Sequence, residues 1–209
     1  MKQERGLRRR ERILDAAFHV FSRRGYREAG VDEVGRQADT SKGGVYFHFP
    51  TKESLFLELL RTTADRLVGK VERAVVDHDD PIDRADVALS TVLSTFAGHR
   101  TMARLFLIDA VGAGPAFQAE LQRLHERFIE IIAGHLDDAV EAGLIAPIDT
   151  RVAGMAWFGA LNEVVIRWLM AEEPGRLEDV YPTLRAILLR SVGIPEERIE
   201  ARVRERSTR

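Results

Sequence analysis

Cysteine is absent from the 209 residues, which excludes disulfides, thiolate zinc sites and cysteine nucleophiles. Long apolar runs are absent as well. Nothing approaches the roughly 20 residues that a membrane span requires, and the first residues lack the apolar h-region of a secretory signal. The expectation is a cytoplasmic protein with no membrane partner. Lysine is scarce: only Lys2, Lys42, Lys52 and Lys70 among 31 basic residues, an arginine bias that fits a G+C-rich genome and says little about function. The constellations of catalysis are also missing. There is no phosphate-binding loop, and Asp137-Asp138 has neither a histidine nor a glycine-rich loop beside it. His99, His125 and His135 show no HxxxH or HExxH spacing. No enzyme, metal site or cofactor is expected. Finally, no segment sustains the two-residue alternation of a half-buried strand, and no internal repeat is visible.

What is present is a hydrophobic share of 45%, ample for a packed core, in a length that allows one or two domains. The net charge of −2 argues against a nonspecific nucleic-acid binder. Its distribution is more informative. Residues 1–54 carry 12 Lys and Arg against 8 Asp and Glu, a surplus of +4, whereas the remainder stands at −6. A basic block joined to an acidic body is the asymmetry expected of a separate phosphate-facing unit.

Nearly the whole chain has helical periodicity, so the predicted fold is all-α with about nine helices. Ile13, Leu14, Ala17, Phe18 and Phe21 recur at 3.6-residue spacing, with Gly25 as a stop. Val31, Val34 and Ala38 mark a short second helix with Asp32 and Glu33 in its first turn. A third short helix occupies 40–49, and Thr51 can cap a long fourth helix running to about Val76. The segment 77–82 reads as a loop. Further helices are predicted over about 83–97, 100–111 and 116–142, with Pro115 at a first helical position and Gly143 as a stop. Residues 150–172 are strongly apolar, 177–192 are rich in Leu and Ile, and the charged 195–209 segment reads as a fraying extension.

The most informative stretch is TSKGGVYFHF at 40–49, followed at once by PTKE. At about two turns, a helix starting at Thr40 or Ser41 is too short to be stable alone. It presents Lys42, Gly43, Gly44, Tyr46 and His48 near its outer surface, which suits insertion into a DNA major groove. Val45, Phe47 and Phe49 are expected to pin it to the domain core. Three short helices in the first fifty residues, with a tight turn near Asp39, form a helix-turn-helix.

Here the chain resembles the TetR family of bacterial transcriptional regulators, through RERILDAAFHVFSRRGY (10–26), VDEVGRQADTSKGGVYFHFPTKESLF (31–56) and the spacing between them. Beyond residue 60 the resemblance rests on helix number, length and order. It implies that Lys42, Gly43, Gly44, Tyr46 and His48 face a double-stranded DNA operator and that Lys52 meets phosphate. Lys42 can donate to guanine or phosphate, while Tyr46 and His48 fix register on the backbone. Two departures stand out. Ala29 and Gly30 occupy positions where the family usually carries hydroxyl residues, so a cap and phosphate contacts are missing and Arg27 or Arg36 supplies the charge. Gly44 replaces a commoner Thr or Ala. The basic run at 5–12 has two readings, a solvated N-terminus or an arm contacting phosphates or the minor groove.

The resemblance divides the chain into a DNA-binding domain at 1–52 and a ligand-binding and dimerisation domain at 53–209. It implies a homodimeric repressor paired through helices 150–172 and 177–192 and released by a small-molecule effector. Candidate pocket residues are Phe96, His99, Met102, Phe106, Phe117, His125, Phe128, Trp157 and Asn162, each of which also reads as plain core or as an internally bonded polar group. Because these residues are largely aromatic and aliphatic, the expected effector is apolar or amphipathic, with fatty acid or acyl-CoA among the options. Two alternatives remain open: an activator of the same fold, and an all-α ligand-binding or enzymatic protein that carries a DNA-binding unit.

Overall fold

The structure, a computed structural model, describes residues 2–199. The expected helical extension over 195–209 lies outside the described residues from 200 onward; 195–199 begin it with a turn in which Ile199 N donates to Pro195 O at 3.2 Å. Among the described residues every regular element is helical. In chain order these are α1 (Lys2–Glu28), α2 (Val31–Gln37), α3 (Lys42–His48), α4 (Lys52–Val75), α5 (Pro81–Gly98), α6 (Arg100–Arg104), α7 (Pro115–Glu141), α8 (Thr150–Met170) and α9 (Tyr181–Ser191). A π-helical turn follows α6 over Leu105–Asp109, and a 3₁₀ turn precedes α9 over Leu177–Val180. No helix among the described residues is long and apolar enough to cross a membrane.

The punctuation follows local chemistry. Gly25 adopts φ 74° and ψ 166° inside α1, a kink that only glycine adopts at little cost, and the chain resumes one more helical turn to Glu28. Ser41 accepts from Gly44 N at 3.0 Å to cap α3. Thr51 and Ser54 cap α4 reciprocally: Ser54 N donates to Thr51 Oγ1 at 2.9 Å and Thr51 N to Ser54 Oγ at 3.0 Å. Pro81 and Pro115 open their helices, where a missing N–H is harmless. As expected from Ala29-Gly30, α2 has Gly30 at its N-cap and no side-chain cap bond. The basic run at 5–12 is part of α1, which is helical from Lys2.

Packing divides the chain into two units, one of residues up to Arg66 together with His99–Leu124, the other of Leu67–Gly98 with the residues from His125 onward. The first is built on the predicted stripe of α1. Ile13, Leu14, Ala17 and Phe21 are buried with Val31, Val34 and Ala38 of the second helix region, Val45 of α3, and Leu55, Phe56, Leu59 and Leu60 of α4. Residues of the 99–124 segment complete this core. Phe56 lies 5.1 Å from Phe21, 5.4 Å from Phe117 and 6.2 Å from Phe106, ring centre to ring centre. At the rim of this unit Arg61 holds Glu120 through two bonds, Nε–Oε1 at 2.9 Å and Nη2–Oε2 at 2.6 Å, tying α4 to α7. That hydrogen bond holds the Glu120 carboxyl below the usual range.

In the second unit, Ile82, Leu89 and Leu93 of α5 and Leu136 and Ala139 of α7 are buried, as are Val165 and Leu169 of α8 and Leu184, Leu188 and Leu189 of α9. Gly154 marks a close crossing of α7 and α8, because a Cβ there would lie 3.0 Å from the Ile129 carbonyl oxygen. A buried polar knot joins α5 to α9: Asp86 accepts from Arg185 Nε and from Tyr181 OH, each at 2.5 Å.

Candidate nucleic-acid interface

The turn between α2 and α3 is made by Asp39, whose φ of 51° is the left-handed conformation that Asp tolerates better than most residues. Thr40 N then donates to Gly35 O at 2.9 Å. Gly35 must be small, since a Cβ would meet Thr40 O at 3.0 Å and Lys42 N at 3.3 Å. These contacts fix the angle at which α3 leaves α2. Val45 and Phe49, four residues apart and so on one helical face, are buried and hold α3 to the core.

Phe47 is not part of that anchor. It is 84% exposed, the most exposed of the large apolar side chains among the described residues. The expectation that Val45, Phe47 and Phe49 act together follows a two-residue alternation, but in a helix residue 47 lies about 200° from residue 45, at 100° per residue. Its exposure was readable from that spacing alone. The outer crest of α3 therefore consists of Gly43 and Phe47, flanked by exposed Lys42 and Tyr46 and half-buried Gly44 and His48.

The basic groups around α3 divide into engaged and exposed. His48 is shifted below its ordinary pKa by burial and then by the charges of Arg9 and Arg10, so the neutral ring is favoured and the α1 guanidinium groups stand close to the recognition helix. Arg10 lies over the Phe49 ring at 5.1 Å and pairs with Glu58. Arg9, within the basic run at 5–12 that the sequence offered as a phosphate contact, is exposed. Lys52 donates to Arg27 O at 3.0 Å and sits 4.8 Å over the Tyr26 ring, and burial lowers its pKa while Glu28 opposes the shift. Arg27 donates to Gly112 O at 3.3 Å. Arg36 is exposed and pairs with Asp32 at 3.4 Å.

The nine expected pocket residues fall into both units. His99 is exposed in the first unit, Met102 is half-buried there, and Phe106 and Phe117 belong to its aromatic core. In the second unit Phe96 and Asn162 are half-buried, and Trp157 is buried with Nε1 donating to Ser191 Oγ at 3.0 Å. His125 and Phe128 of α7 converge on Phe158 of α8, with ring centres 4.8 Å and 6.3 Å away, the latter pair stacked. Burial lowers the His125 pKa. Phe158 was missed as a site candidate, since nothing in the sequence pairs α7 with α8 at that level. A separate open cleft of about 440 Å³ is lined by Val75, Val76, His78, Asp79, Arg84 and His135, none of them an expected pocket residue.

A capped two-turn helix, fixed through a tight turn to a three-helix core and presenting Lys, Tyr and glycine outward beneath a basic α1, defines a helix-turn-helix DNA-binding protein. Residues 13–59 match the family described as bacterial regulatory proteins, tetR family, and residues 78–192 match the tetracyclin repressor-like C-terminal domain. The chain belongs to the tetR family of DNA-binding transcriptional regulators. It is similar to the fatty acid metabolism regulator protein of Bacillus subtilis, 23% identical over 174 residues, covering 83% of this chain and 89% of that one. Its fold matches the crystal structure of a transcriptional regulator FadR from Bacillus subtilis in complex with stearoyl-CoA, at TM-score 0.78 and 21% identity, covering 88% of this chain and 97% of that one. It also matches AibR in complex with isovaleryl coenzyme A and operator DNA, at TM-score 0.65 and 19% identity, covering 86% and 97%.

Proposed function

We propose that this regulator is a cytoplasmic homodimeric repressor of a palindromic operator, released by an acyl-CoA or a related amphipathic acyl compound. The dimer reading is carried by α8. Val152 (54% exposed), Met155 (43%) and Met170 (66%) lie on one face with Gly159 and Ile166, a face interrupted midway by exposed Glu163. On α9, Ile187 is likewise 54% exposed. Exposed apolar side chains gathered on one face in this way are unusual on a monomer surface, and a second copy of α8 and α9 covers them symmetrically. Two recognition helices then read two half-sites.

In this reading Lys42, Gly43, Gly44, Tyr46 and His48 enter the major groove, and Lys52 and Arg36 lie along the phosphates. Arg27 reaches phosphate only by releasing Gly112 O. The acyl-CoA class is supported by the two relatives crystallised with such ligands. It is supported too by the half-buried group of His125, Phe128 and Phe158, with Asn162 one turn beyond Phe158 as a polar contact. Phe106 and Phe117 act as core, not as lining. Both α4 and α7 run from the first unit into the second, and the Arg61–Glu120 pair ties them together. An effector that favours one placement of α7 therefore biases α4, with a coupling typically of about 1–3 kcal/mol.

Operator release is the test. Stearoyl-CoA should displace the wild-type protein from its own upstream DNA in a fluorescence anisotropy titration, and Phe158→Ala should raise the concentration needed about tenfold. Met155→Glu combined with Ile187→Glu should yield a monomer in sedimentation and abolish tight operator binding. If no acyl compound of any chain length shifts binding while a polar metabolite does, the effector assignment is wrong.

A further inference from the structure

Phe47 is a large apolar side chain at the outermost point of the helix that reads DNA, and nothing in the described chain covers it: 84% of it is exposed. Its ring stands edge-on to His48, with centres 5.2 Å apart at 89°, so the neighbouring imidazole limits where it can swing. One turn back on the same crest stands Gly43. A Cβ built there has no neighbour nearer than Ser41 Oγ at 3.8 Å, so the crest before Phe47 is bare and the helix can approach a groove floor closely.

The edges of base pairs in the major groove are nearly all hydrogen-bond donors and acceptors. Their one apolar projection is the C5-methyl group of thymine. A side chain without donors or acceptors can discriminate among bases only through that methyl or by steric exclusion. We propose that Phe47 is a specificity-determining residue that packs on a thymine methyl in each half-site, so that the operator carries an essential T·A pair read by shape and dispersion instead of hydrogen bonds. The two glycines leave little other side-chain reach on the crest, which concentrates discrimination on Lys42 at one end and Phe47 at the other.

This inference rests on α3 being the major-groove helix, and the experiment separates the two claims. An operator is first selected from random duplexes with the full-length protein. Each thymine is then replaced singly by deoxyuridine, which removes the methyl and leaves every hydrogen-bonding group in place. Binding is measured by anisotropy for wild type, Phe47→Ala and Phe47→Leu. Burying one methyl corresponds to on the order of 0.8 kcal/mol, or about a fourfold change at 1.4 kcal/mol per decade. Wild type should weaken about fourfold at one thymine position per half-site and at no other to that degree. Phe47→Ala should bind the intact operator more weakly and be indifferent to that same replacement, and Phe47→Leu should retain part of the sensitivity. Because the side chain is exposed, folding of both variants is expected to be unchanged, checked by circular dichroism. If no deoxyuridine position distinguishes wild type from Phe47→Ala while Lys42→Ala and Tyr46→Ala abolish binding, α3 reads DNA but Phe47 does not read thymine. If all three alanine variants keep wild-type affinity, the placement of α3 in the groove fails as well.

Discussion

Replacing Asp86 by Ala removes the acceptor at the centre of the buried knot between α5 and α9. The side chains of Arg185 and Asp86 are only 4% and 7% exposed. Besides Asp86, the guanidinium has Ile199 O as an acceptor for Nη1, at 3.0 Å, and its Nη2 is buried with no hydrogen-bond partner among the described residues. Without Asp86, Nε is stranded as well, and Tyr181 loses an acceptor. Breaking a buried pair by removing one partner costs about 3–5 kcal/mol, because an uncompensated charge stays behind. Against a total stability of about 5–15 kcal/mol, that is a large fraction. For a chain of this size each kcal/mol moves Tm by about 2–4 °C, so a fall of about 6–20 °C is expected in a calorimetric or circular-dichroism melt. Removing both charges with Asp86→Leu and Arg185→Met should recover most of the loss, since a pair replaced by apolar groups of similar volume is often near neutral. A fall below about 2 °C for Asp86→Ala, or a double variant as unstable as the single one, would refute the reasoning. The pair would then not be a coupled, desolvated unit.

Gly35→Ala should weaken both stability and operator binding, by about 1–3 kcal/mol in urea unfolding, because its new methyl presses on Thr40 O and Lys42 N; Gly43→Ala, with open space around it, should instead stabilise the fold slightly. His125 and His135 are both held below their ordinary pKa by burial, His135 also by Arg84 with Asp138 opposing. The folded state therefore binds fewer protons than the unfolded one below about pH 6.5. Stability should be full above that value and fall as pH drops through the lower folded pKa values, and His125→Asn with His135→Asn should flatten the decline in melts from pH 7.5 to 5. Arg9→Ala should reduce the slope of log affinity against log salt by about 0.9, the loss of one phosphate contact; an unchanged slope means Arg9 stands clear of the DNA.

The architecture was legible because its signals are local. Ile13, Ala17 and Phe21 recur at helical spacing, Ser41 and Thr51 are good caps, and Pro115 and Gly143 punctuate α7. What escaped is non-local or lies below the resolution of periodicity. Phe106 and Phe117 are apolar in sequence, but only tertiary packing shows that they join Phe56 in the first unit's core. The π-turn at Leu105–Asp109, closed by Ala110 N to Leu105 O at 3.0 Å, inserts one residue into a helix that otherwise reads as continuous. In a helix as short as α3, alternation and helical spacing make the same prediction for Val45 and Phe49 and opposite ones for Phe47. The convergence of His125 and Phe128 on Phe158 depends on how two helices a loop apart are aligned, which no single stripe encodes.

The two glycines of α3 differ in a way that bears on how this regulator diverges after gene duplication. At position 43 a side chain meets open space, so with α3 in the groove as proposed, a new contact to DNA is one codon change away. At position 44 a Cβ would stand 2.2 Å from Thr40 Oγ1, so that site can be written only if Thr40 turns aside or is replaced with it. Operator preference in descendants of this gene should thus drift first through position 43, while a side chain at position 44 requires Thr40 to turn aside or change with it.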